Sequence, residues 1–171
     1  MSSIADFYRR QSEEPDAPGA PGAPMPVAAV PGPVHEAGPF RLALPDAWSD
    51  ETLHVFAGPV EDGHQHTVTV SVDRAVELDL EAYVDQQVRA LEAQLKAFSV
   101  ARREAATLDC GDPVVRVVFD WHPAEGTRVV QEQLVVVKGT TGYRLTATFT
   151  PLTFETFGPE VRAMLLSFEP A

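Results

Sequence analysis

Apolar and polar positions alternate with two different periods along the chain, and the switches between them mark its elements. Phe40-Arg41-Leu42-Ala43-Leu44 alternates large and small side chains and reads as a first strand, stopped by Pro45-Asp46. Thr52 to Phe56 sets Leu53 and Val55 against Thr52, His54 and Phe56, a second strand, with Gly58-Pro59 and Glu61-Asp62-Gly63 marking the loop after it. His66 to Val72 is strictly period two, with Val68, Val70 and Val72 on one face and Thr67, Thr69 and Ser71 on the other. The spacing then becomes three or four. Leu80, Val84, Val88 (beside Gln87), Leu91, Leu95 and Phe98 form one stripe of an amphipathic helix, and Asp79 stands where an N-cap belongs. Ser99–Leu108, Val114–Trp121, Val129–Lys138 and Tyr143–Thr150 read as four more strands. Gly111-Asp112-Pro113, Glu125-Gly126 and Gly139-Thr140-Thr141-Gly142 supply the turns between them. A last helix, about Glu155 to Ser167, carries Phe157, Val161, Met164, Leu165 and Phe168. The order β-β-β-α-β-β-β-β-α predicts an α+β domain, an antiparallel sheet of about six or seven strands covered by helices.

Composition changes the picture upstream of Phe40. From Pro15 to Pro39 prolines and glycines recur every few residues. Such a run has too little apolar surface to offset the entropy of ordering it. Residues 1–39 are therefore expected to be a disordered Pro/Gly-rich tail, with Ile4–Arg10 a short amphipathic piece at its start, and residues 40–171 the folded domain. The formal net charge of −12 and the lack of a Lys/Arg stripe argue against nucleic acid and against an anionic membrane surface. The single cysteine, Cys110, cannot form an internal disulfide, which suits a reducing compartment. Residues Met1 to Arg10 hold no apolar run, and no stretch approaches the ~18 apolar residues of a membrane span. The expectation is a soluble cytoplasmic protein that does not insert into membranes.

Catalytic and cofactor motifs are missing from the chain. It has no Gly-x-Ser-x-Gly elbow and no Gly-rich loop ending in Lys-Ser/Thr, so neither acyl transfer nor a phosphate cradle is indicated. His64 and His66 share a strand face, with His54 on the strand before, but a catalytic zinc needs a third ligand that nothing beyond Asp62 offers. Cys110 precedes Gly111-Asp112, the opposite of the electropositive setting a reactive thiol needs. No enzyme activity, metal or cofactor is expected. The informative feature is a sheet face. Thr67, Thr69 and Ser71 on one strand, Gln131 and Gln133 on another, and the row Leu53 and Val55 mix hydroxyls, amides and aliphatics with few charges. Two readings stand side by side: a groove for a partly apolar peptide, and a Thr-rich solvated face of the kind β-propensity favours.

Several segments in order then carry a resemblance. Phe40–Trp48 followed by Asp50–Phe56, the helix Leu80-Glu81-Ala82-Tyr83-Val84-Asp85-Gln86-Gln87, the strand Val117-Val118-Phe119-Asp120-Trp121 and the strand Val130–Val136 together resemble DcrB-related proteins over essentially all of 40–171. Within that group, members without a lipoprotein signal resemble Eag-type chaperones of type VI secretion. The resemblance implies a PsbP-like fold and a homodimer. It also implies an adaptor that shields the N-terminal transmembrane helices of a Rhs- or PAAR-type effector before loading onto the VgrG spike. It further implies a client surface made by Leu53 and Val55, by Thr67 and Ser71, by Gln87, Leu91 and Leu95 of the helix, and by Gln133. Leu91 and Leu95 lie on the apolar stripe and serve equally well as core. The other reading kept open is a generic PsbP- or DcrB-like module binding a different protein or a small ligand, with no role in secretion. The 39 residues ahead of Phe40 depart from the family pattern.

Overall fold

The computed structural model describes residues 34–37, 40–43, 53–61, 63–123 and 128–171. Most of the expected tail, Ile4–Arg10 included, lies outside them. The chain divides after Ser49 into two units. In the first, β1 (Val34–Ala37) and β2 (Phe40–Ala43) pair antiparallel as a two-stranded sheet, Val34 opposite Ala43 and Ala37 opposite Phe40. Phe40–Ala43, part of the strand Phe40–Leu44 expected to open the large sheet, instead pairs with a segment read as linker. That segment, Val34-His35-Glu36-Ala37, is free of proline and glycine although Pro33 and Pro39 flank it, so its amides can enter a ladder.

The second unit is α+β, as expected: one antiparallel six-stranded sheet and two helices. Its elements are β3 (Leu53–Glu61), β4 (His64–Asp73), α1 (Leu80–Gln94), β5 (Ser99–Thr107), β6 (Pro113–Trp121), β7 (Val129–Lys138), β8 (Thr141–Phe149) and α2 (Pro151–Leu166). The spatial order is β3-β4-β8-β7-β6-β5. The hairpin β3–β4 fills one edge, α1 crosses the sheet to the far edge, and the meander β5–β8 returns until β8 pairs with β4.

Each helix covers one face. α1 begins where its sequence indicates, the Asp79 carboxylate accepting from the Ala82 amide at 2.9 Å. Its Tyr83 and Val84 pack on Val115, Val117 and Phe119 of β6 and Val135 of β7. On the other face Leu165 of α2 packs with Val118, Leu134, Val136, Leu145 and Phe149. Strands β6 and β7 are buried on both sides, hence the valine pairs Val114-Val115 and Val117-Val118 of β6 and the run Val135-Val136-Val137 of β7. Each such side chain contributes about 1.5–3 kcal/mol through burial. The valines of β4 face α2, while Thr67, Thr69 and Ser71 face the α1 side.

Three boundaries differ from expectation by more than two residues, and the first is that α1 ends at Gln94 instead of running on to Phe98. β3 runs on through Gly58-Pro59 as far as Glu61, because a register shift between Ala57 and Val60 absorbs the proline that cannot donate to a ladder. α2 starts four residues before Glu155. Thr150 caps it, receiving the Thr153 amide at 3.1 Å while Thr153 Oγ1 accepts from the Thr150 amide at 3.0 Å, and Pro151 occupies the first turn.

Candidate binding surface

Register places the face named from the sequence without ambiguity. Leu53 pairs with Ser71, Val55 with Thr69 and Ala57 with Thr67. Thr67, Thr69 and Ser71 pair with Thr148, Thr146 and Arg144, and Thr148, Thr146 and Arg144 pair with Gln131, Gln133 and Val135. Directly paired residues share a face, so aliphatic, hydroxyl, hydroxyl and amide rows run side by side across β3, β4, β8 and β7 on the α1 side. The amide row holds the hydroxyl row: Gln131 Nε2 donates to Thr148 Oγ1 and Gln133 Nε2 to Thr146 Oγ1, both at 3.0 Å. Gln133 is 5% exposed, and its Oε1 is buried with no hydrogen-bond partner among the described residues. Leu53 and Val55 are 44% and 56% exposed.

Among the described residues the face stays open because of where α1 sits. α1 packs mainly on β6 and β7, and α2 on β7 and β8. Both edges of α1 are tied down. On the β5 side Arg103 Nη1 donates to Asp85 at 2.5 Å and Nη2 to Glu81 at 2.6 Å. On the β4/β8 side the Tyr83 hydroxyl donates to Asp73 Oδ2 at 2.5 Å, and Arg144 Nη2 donates to Asp73 Oδ1 at 3.2 Å. Burial, and then the bond to the Asp73 carboxylate, push the Tyr83 phenol well above its ordinary pKa, so it stays a donor. Gly142 lies beneath the ring: a Cβ there would come within 2.7 Å of Tyr83 Cζ.

Of the residues named from the sequence, Leu53, Val55, Thr67, Ser71 and Gln133 share one sheet face. Gln87 follows Tyr83 by one helical turn, so it lies on the α1 edge that looks toward β4 and β8. Leu91 and Leu95 are half-buried and pack against the core beneath α1. Sequence reasoning missed Arg144, Thr146 and Thr148, although the alternation Arg144-x-Thr146-x-Thr148 against Tyr143, Leu145, Ala147 and Phe149 was available to find them.

The histidines do not form a trio. His64 and His66 stack edge to face with centroids 5.5 Å apart, whereas His54 pairs with Val70, four residues further along β4, roughly 13 Å away at strand rise. Asp62 lies outside the described residues, and among the described residues no three His, Cys, Asp or Glu side chains are grouped as a metal site. Cys110 is exposed, its Sγ 3.7 Å from Asp112 Oδ2. No helix among the described residues is long and apolar enough to cross a membrane.

A six-stranded antiparallel sheet with one helix on each side, no grouped metal ligands among the described residues and a partly uncovered polar-aliphatic face defines an α+β protein built around a surface. The chain belongs to the DcrB family, whose model matches residues 40–163. No curated protein matches it. Among solved structures it is similar to PA94 of Pseudomonas aeruginosa, a protein of unknown function, at a TM-score of 0.67 and 21% identity over 81% of this chain and 96% of that one. It is also similar to LpqN of Mycobacterium tuberculosis, a protein involved in cell envelope biogenesis, at a TM-score of 0.48 and 18% identity over 95% of this chain and 93% of that one. At these identities the likeness is one of fold.

Proposed function

We propose that this protein is a non-enzymatic chaperone and adaptor of type VI secretion. In this reading it shields the N-terminal transmembrane helices of a Rhs- or PAAR-type effector and delivers the effector to the VgrG spike. The observation that carries the reading is the open α1-side face, where exposed Leu53 and Val55 border a floor of small hydroxyls held in place by Gln131 and Gln133. Four strands at about 4.8 Å spacing make a floor roughly 14 Å across, enough for a helix about 10 Å in diameter. Small floor residues permit close approach of a helix rich in Gly, Ala and Ser, and hydroxyls satisfy its polar side chains, which is how helices recognise one another inside membranes. An uncovered transmembrane helix in water exposes a contiguous apolar surface that aggregates, so covering it is sufficient function without chemistry.

The test is co-expression with the N-terminal apolar region of a candidate Rhs or PAAR effector from the same genome, followed by size-exclusion chromatography with light scattering. The expected result is a soluble complex holding two copies of this protein per client fragment. A client fragment that precipitates to the same extent with and without this protein would overturn the reading and leave the generic DcrB-like binding module.

A further inference from the structure

The opposite face of the sheet carries a second feature that the chaperone reading does not use. Between β3, β4, β8 and α2 lies a cavity of about 370 Å³, walled by Phe56, His66, Phe149, Phe157, Val161 and Met164. That volume falls at the small end of the range for ligand pockets. The Gly58-Pro59 bulge of β3 forms part of its rim, and Gly58 brings backbone close to the His66 Cβ, at 3.4 Å from where a Cβ of its own would stand.

His66 sets the chemistry. The residue is 6% exposed and its ring packs against Phe157 and Phe149, with centroids 5.1 Å and 5.9 Å away. Neither Nδ1 nor Nε2 has a hydrogen-bond partner among the described residues. A buried imidazole without partners is costly, and each sheet-buried polar group normally finds one. Among the described residues the only charged side chain lining the cavity is the carboxylate of Glu160, within a chain of net charge −12, so an anion is disfavoured there.

The geometry points to a ligand pocket on the α2 side that takes an uncharged, mainly aromatic or short-chain apolar molecule of up to three rings, with a single polar group bonded to the His66 ring. Aromatic walls supply the burial and His66 fixes the orientation. The cavity opens on the α2 side, away from Leu53 and Val55, although Thr67 and Thr148 of the hydroxyl floor also line it, so variants on each side keep its test separate from that of the chaperone reading.

N-phenyl-1-naphthylamine is the probe: it is neutral, has two aromatic units and one N–H donor, and brightens when it leaves water. Titrated into the full chain, it should give saturable one-site fluorescence, displaced by 1-naphthol and not by 1-naphthoate. Met164→Trp, at a position that is half exposed and therefore tolerant, should fill the cavity and weaken binding at least about tenfold. His66→Phe should weaken it about threefold to tenfold, the worth of one hydrogen bond. Val55→Asp, on the other face, should leave it unchanged. The inference is overturned by absence of saturable binding. It is equally overturned if Met164→Trp binds like the wild type with a native melting curve, if Val55→Asp removes binding, or if 1-naphthoate competes as well as 1-naphthol.

Discussion

Glu132 is the residue on which the α2-side core turns electrostatically. It is 1% exposed, yet its two carboxylate oxygens accept from Arg116 at 2.7 and 3.2 Å and from Arg162 at 2.7 and 3.1 Å, and Arg116 also reaches Glu104 at 2.5 Å. Burial alone would push the Glu132 carboxyl up, but the bonds from Arg162 and Arg116 outweigh it and hold the group below its ordinary value. A folded-state pKa below the unfolded one means stability that is present above about pH 4.3 and lost as pH falls through the folded value. Glu132→Ala strands the Arg116 charge in the interior and should cost about 3–5 kcal/mol in a urea titration at pH 7. Arg162→Ala, at a half-exposed guanidinium, should cost about 1 kcal/mol or less. The gap between wild type and Glu132→Gln should close as pH is lowered from 6 to 3; a gap that stays constant would refute the linkage. Gly142→Ala tests the approach of Tyr83: the ring is buried and bonded to Asp73, so it cannot yield freely, and the substitution should cost about 1–3 kcal/mol. A loss under about 0.5 kcal/mol would show that the ring moves aside.

At the scale of elements, what was legible in the sequence followed from periodicity. The switch from period two to period three or four at Leu80, with Asp79 as cap, located the start of α1 to the residue but not its end, and the Thr/Val alternation of β4 assigned its two faces. Prolines misled in three places for the same reason, that they can begin or edge an element as well as end one. Pro151 starts α2, Pro59 sits in a bulge of the edge strand β3, and the Pro-rich stretch up to Pro39 hides β1. Thr150 is the signal that would have placed the helix start, and Thr150→Ala should lower stability by about 0.5–2 kcal/mol, read as a shift in melting temperature. Half of the candidate surface was visible because β4 announces it. The contributions of β8 and the anchoring of α1 by Tyr83, Asp73 and Arg144 depend on which strand becomes the neighbour of β4, and local pattern carries no information about a partner some seventy residues away.

At the scale of the molecule, the sheet's two edges are built differently. β5 presents Arg102, Arg103 and Glu104, the charged edge that resists further pairing, whereas β3 presents Leu53, Val55, Phe56 and Val60, all more than two-fifths exposed. The helices sit toward β6, β7 and β8, so the β3–β4 side is where both faces have room: hydroxyl floor on one, apolar cavity on the other. Gln133, one of the client-surface residues that the resemblance implies, is a poor test of client binding because it is 5% exposed and bonds to Thr146; Val55 reports on the surface directly. The decisive measurement is co-purification of the effector's N-terminal apolar region with two variants side by side. One is Val55→Asp on the candidate face. The other is Leu152→Asp, 61% exposed in the first turn of α2, where an acidic residue is well tolerated. The account predicts that both keep the wild-type melting temperature, that Leu152→Asp retains the client, and that Val55→Asp loses at least about nine-tenths of it, the tenfold loss that a charge buried against an apolar helix demands. Equal retention by the two variants would contradict it.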